Sequence, residues 1–195
     1  MTTLKGGDNR YTASVDNTNR LLTRTVARDD AVDAGVRGDA YFILVPEITL
    51  TTDNPSAVYV YQNDEDRDII LKASITSADV SVGGASQVYQ SFRVSGPGMT
   101  MADGLGVPVP VANVIFGSNK TLANTSELGQ EGATIIGGGP TSPLFFPTGT
   151  AQVNEVFIII PKGVAIGGLI TPPVGNTSMG VVLLIEVYLR EASAI

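Results

Sequence analysis

The chain has 195 residues, 12 basic against 19 acidic side chains for a formal net charge of −7, and neither histidine nor cysteine. That length suffices for one well-buried core, while the two missing residue types exclude disulfides, cysteine-based metal sites and every Ser-His or Cys-His nucleophile pair. The acidic balance opposes binding to nucleic-acid phosphates, and a charged fraction of only 16%, against roughly 25% in ordinary soluble proteins, leaves Thr, Ser, Asn and Gly to form much of a surface suited to protein contacts.

Residues 1–38 read as an extended N-terminal arm and residues 39–195 as a β-sandwich domain. Lys5, Arg10, Arg20, Arg24, Arg28 and Arg37 place six of the twelve basic residues in the arm, so it is near +1 while the remainder is near −8. The arginines alternate with aspartates and lack an aromatic stacking series, so they suit a protein tether better than a nucleic-acid grip. Leu21, Leu22 and Val26 are its apolar anchors. A brief helix is expected over 27–36, with Asp29 and Asp30 near its N-terminal end and Gly35 ending it. Ten residues are marginal alone, so docking has to stabilise them. No apolar leader segment follows Lys5 and no later run approaches the roughly 20 residues that cross a bilayer, so a soluble, unprocessed chain is expected.

The body opens with the apolar run Ala40-Tyr41-Phe42-Ile43-Leu44-Val45, interrupted by Pro46, and continues in the alternating Glu47-Ile48-Thr49-Leu50-Thr51. Such alternation marks a half-buried strand. After the turn at Asp53-Asn54-Pro55, residues 57–62 and 68–76 are expected to pair as a hairpin, with Ile69, Leu71, Ala73 and Ile75 on one face. Residues 87–94 alternate again. Gly and Pro crowd residues 96–147, where two or three short strands joined by long loops are expected. The final third reads as strands over 155–160, 164–171 and 181–190, with Val181, Leu183, Ile185, Val187 and Leu189 on one apolar face. Eight to ten strands at this spacing predict an all-β, antiparallel sandwich of jelly-roll-like type.

No constellation demands chemistry. Asp64, Glu65, Asp66 and Asp68 offer oxygens that calcium favours, yet their spacing is not that of an EF-hand, and a solvated turn explains them. Gly83-Gly84 and Gly137-Gly138-Gly139 lack the Lys-Ser/Thr context of a phosphate loop. The Asn-X-Ser/Thr triplets at Asn119, Asn124 and Asn176 are taken as chance matches. Glu47, Glu155 and Glu186 fit outward positions on strands, and nothing singles out the carboxylate pair a glycosidase needs. Packing accounts for Tyr59, Tyr61 and Tyr89 more simply than a sugar-stacking surface does. No catalytic residue, metal or cofactor is assigned.

The segment Asn19-Arg20-Leu21-Leu22-Thr23-Arg24-Thr25-Val26-Ala27-Arg28-Asp29-Asp30, leading through Gly38-Asp39-Ala40-Tyr41-Phe42, resembles small virion proteins of tailed bacteriophages. Ile160-Pro161-Lys162-Gly163, Thr171-Pro172-Pro173 and Gly175-Asn176-Thr177-Ser178-Met179 add to the likeness, which is most like a capsid decoration, or cement, protein. The resemblance implies a homo-oligomer, a trimer or a similar cluster, seated on the major capsid protein at the virion exterior after synthesis in the bacterial host cytoplasm. Membranes and nucleic acid are not expected partners. Arg10, Arg20, Leu21, Leu22, Arg24 and Arg28 are the candidate contacts to capsid or to a neighbouring subunit. A tail, neck or fibre component and a carbohydrate-binding module are the alternatives.

Overall fold

The computed structural model describes residues 2–5, 12–15, 21–23, 30–79, 81–84, 87–95, 98–149 and 151–190. Three short strands, β1 (Thr2–Lys5), β2 (Thr12–Val15) and β3 (Leu21–Thr23), form an antiparallel meander in the segment expected to be an extended arm. Helix α1 (Asp30–Arg37) follows. It ends at Gly38 rather than at the expected Gly35, because Gly38 adopts φ 73°, a left-handed conformation that side chains disfavour. The amide of Gly38 donates to the Gly35 carbonyl and that of Asp39 to the Ala34 carbonyl, at 3.0 and 2.8 Å, which is the paired Schellman closure of a helix C-terminus.

Two five-stranded antiparallel sheets make the body. The first, in spatial order, holds β13 (Ala151–Ile160), β6 (Ile69–Ala78), β15 (Met179–Leu189), β4 (Ala40–Leu50) and β9 (Val111–Asn113). The second holds β10 (Asn124–Leu128), β5 (Ser56–Asn63), β14 (Ala165–Thr171), β7 (Gln87–Ser95) and β12 (Gly139–Pro147). Along the eight long strands β4, β5, β6, β7, β12, β13, β14 and β15, every connection except β7 to β12 changes sheet. That ordering is a jelly roll, so the predicted sandwich is present and its topology is defined.

The topology corrects the expected hairpin: β5 and β6 lie in opposite sheets, and residues 64–68 cross between them. It also changes the faces of β6. Val187 pairs with Leu71 but Glu186 pairs with Ala73, so Lys72 is an extra residue at a bulge. A bulge reverses the side-chain alternation beyond it. Ile69 and Leu71 therefore face the core, whereas Ser74, Thr76 and Ala78 take the inward positions after the bulge and Ile75 turns outward. Pro46 does not end its strand. It lies where the β4 register against β15 shifts between Val45 and Ile48, a place that tolerates a residue without a ladder N–H.

The inner faces bury Tyr41, Ile43, Val45, Tyr59, Tyr61, Leu71 and Ile160 together with Val181, Leu183, Ile185 and Val187. The insertion between β7 and β12 holds four short strands, β8 (Thr100–Ala102), β9, β10 and β11 (Thr134–Ile136). β9 extends the β4 edge and β10 extends the β5 edge. β8 and β11 pair beside Met99, Ala133 and Ile135, which pack on Ala57, Val60 and Ala165 and so cover the outer face of the second sheet. β12, which the prolines concealed in the sequence, is an edge strand whose register shifts between Pro140 and Pro143. Edges and bulges are where a strand accepts proline.

Candidate interaction face

Among the described residues, the outer face of the first sheet is covered at one end only. There Ala31 and Ala34 of α1 pack on Ala40, Ile70 and Tyr188, with Val114 alongside. Two residues further along the strands, the register aligns Phe42, Glu186, Ala73 and Glu155 in a row. Two further still, it aligns Leu44, Leu184, Ile75 and Val153 across all four long strands. Strands spaced about 4.8 Å apart make that apolar row about 14 Å wide, and four residues of strand put it about 13 Å from the helix-covered row. The buried residues that α1 packs on are Ala40, Ile70 and Tyr188 at the other end. Leu44 and Val153 are 40% and 63% exposed, and Phe157 on the β13 edge is 71% exposed.

Charge on this face is one-sided. Lys72 pairs with Glu186 at 3.6 Å, leaving the exposed Glu47 and Glu155 on the same face. Asp79 adds a fourth carboxylate, its Oδ1 accepting from the Gly180 amide at 2.6 Å, and a side chain at Gly180 would meet both Glu47 and Asp79. The three glutamates considered for hydrolysis thus stand on an open sheet face, with Glu186 and Glu155 two strands apart in one row.

At one corner of the face Asp39 clamps three segments together. Its buried carboxylate accepts from Arg67 Nη1 at 3.0 Å, Lys120 Nζ at 3.2 Å and Arg37 Nε at 3.4 Å. Lys120 also donates to the Arg37 carbonyl, and Asn113 Nδ2 donates to the Gly38 carbonyl. Burial pushes the Asp39 carboxyl up, but the hydrogen bonds and charges of Arg67 and Lys120 outweigh it and hold the group below the ordinary carboxylate range. The clamp joins the end of α1, the β5–β6 crossover and the β7–β12 insertion. No local pattern announces it, since residues 37, 39, 67 and 120 meet only through the topology.

The other sequence candidates separate. Asp64 accepts from Gln62 and Thr125, Glu65 from the Ala123 amide, Asp66 pairs with Lys162 and Asp68 with Arg190. Each carboxylate serves its own protein partner, and among the described residues no group of three acidic side chains is placed to hold a metal. Gly83 and Gly84 pack against residues 173–177. There the buried Asn176 donates to the Leu50 and Thr52 carbonyls and accepts from Ser81, which is a structural use of one of the triplet asparagines. Tyr59 and Tyr61 are wholly buried, so neither offers a sugar-stacking face, and burial drives both phenols far above the usual tyrosine value. Leu21 and Leu22 lie on β3, while Arg10, Arg20, Arg24 and Arg28 lie outside the described residues.

The geometry defines the class as an antiparallel jelly roll with one partly uncovered sheet face. No protein-family model matches the chain, and no curated protein is similar to it.

Proposed function

We propose that the protein is a non-enzymatic virion structural protein that assembles into a homo-oligomer, such as a trimer, and binds the exterior of a tailed-phage capsid as a decoration or cement protein. The carrying observation is the row Leu44, Leu184, Ile75 and Val153 on the outer face of the first sheet, in which Leu44 and Val153 are exposed and Leu184 and Ile75 half-buried. Contiguous exposed apolar surface marks a macromolecular contact. The jelly roll recurs in viral shell proteins, and this analogy of fold agrees with the likeness of segment 19–42 to phage virion proteins. Cementing is linkage: a subunit that binds only the assembled shell stabilises that shell by mass action.

The test is binding of purified protein to capsids that lack it. Saturable binding, together with a higher capsid melting temperature, is expected. Capsids left bare at concentrations far above the number of lattice sites would refute the reading, and occupancy confined to the tail or neck would replace it.

A further inference from the structure

We propose that the uncovered outer face of the β13-β6-β15-β4 sheet receives residues 20–28 of a second copy of this chain. The inference rests on the self-assembly half of the function proposed above and not on capsid attachment.

The face has two requirements of its occupant. It presents an apolar row about 14 Å wide, and around that row stand Glu47, Asp79, Glu155 and Glu186 against, among the described residues, Lys72. A second copy stacking the same face on this one would bring like charges together, which costs association. The occupant must instead be apolar and basic. Residues 20–28 read Arg-Leu-Leu-Thr-Arg-Thr-Val-Ala-Arg, with three arginines, no acidic residue and apolar side chains at Leu21, Leu22, Val26 and Ala27. Over residues 1–29 the chain carries five basic and three acidic side chains, while residues 30–195 carry seven and sixteen. The basic apolar stretch 20–28 thus matches an acidic apolar face.

Length and placement agree. Nine extended residues span up to about 30 Å, enough to cross the row twice over. Among the described residues the strands of the β1–β2–β3 meander pair only with one another. Leu44 and Val153 are substantially exposed, and the segment of a neighbouring chain is their proposed cover. Once two bodies are held by one such contact, a second becomes intramolecular, which favours a closed oligomer.

Full-length protein measured by sedimentation velocity and native mass spectrometry tests this. Wild type is expected to be oligomeric at micromolar concentration. Glu47→Lys with Glu155→Lys, or Arg24→Glu with Arg28→Glu, should each weaken association about tenfold or more and more strongly at low salt. The four substitutions in one chain should restore it. Val153→Asp, at an exposed position that leaves the fold intact by circular dichroism, should also dissociate the oligomer. A monomeric wild type, as would follow if the segment covered its own body, overturns the proposal. So does an oligomer that either charge reversal leaves unchanged, or a quadruple variant no better than its parents. An oligomer that assembles as described yet ignores capsids overturns the capsid reading alone.

Discussion

Asp39→Asn isolates the clamp, because the amide keeps the shape of the carboxylate and removes its charge. Three cationic donors lie 3.0 to 3.4 Å from the carboxylate, and a hydrogen bond to a charged group contributes about 1.5–3 kcal/mol net. Arg67, Arg37 and Lys120 remain 31%, 32% and 54% exposed, so water recovers much of their solvation and the full sum is not lost. A cost of about 3 kcal/mol is expected, which for a domain of this size lowers Tm by about 6–12 °C. Equilibrium urea denaturation with an unchanged m-value is the assay. The pH dependence supplies the sign. Asp39 has a lowered pKa in the folded state, so its stabilisation is fully present above the unfolded carboxylate value near 3.8 and is lost as pH falls through the lower folded value. The gap between wild type and variant should be constant near neutrality and close below about pH 4. A gap under about 0.5 kcal/mol at pH 7, or one that widens in acid, would refute the clamp.

Other perturbations probe separate joints. Gly129→Ala should cost more than about 3 kcal/mol by chemical denaturation, since an added Cβ would lie 1.8 Å from the Ala57 carbonyl oxygen; a neutral result would mean the insertion does not seat on β5 as described. Leu71→Ala should cost about 3 kcal/mol and Ile75→Ala under about 1 in the monomer, because the bulge at Lys72 sends Leu71 inward and Ile75 outward. Equal costs would place the bulge elsewhere. Glu131 accepts from the amides of Thr51 and Thr52 at 2.6 and 2.8 Å and from the Thr51 hydroxyl. Burial pushes its carboxyl up, and these hydrogen bonds more than reverse that. Glu131→Ala should speed limited proteolysis within residues 103–132 without unfolding the sheets, and an unchanged cleavage rate would contradict the tie.

The strands were legible wherever inward and outward positions alternated without a break. Val181, Leu183, Ile185, Val187 and Leu189 are the inward face of β15 as their spacing required. The pattern failed at β6, where the odd-numbered series passed through Lys72 and a bulge exchanged the faces. Bulges leave no reliable mark in a single sequence, because the extra residue is defined by its partner strand. Pairing was equally hidden: residues 57–62 and 68–76 look like hairpin arms, yet a jelly roll sends consecutive strands to opposite sheets. β12 was missed since Pro140, Pro143 and Pro147 argue against a central strand, and only an edge position reconciles them. For the same reason the apolar face could not be read, because Leu44, Leu184, Ile75 and Val153 become neighbours only through the register of four strands. The helix was legible over residues 30–36 of the expected 27–36, residues 27–29 lying outside the described residues, and its end is supplied by Gly38 and not Gly35.

Locating the protein in an intact phage particle by electron cryomicroscopy tests the central claim most directly. The account requires clusters of jelly rolls repeated over the capsid exterior, each touching the major capsid protein. Copies confined to one ring at the neck or tail, or a purified particle without the protein, would contradict it.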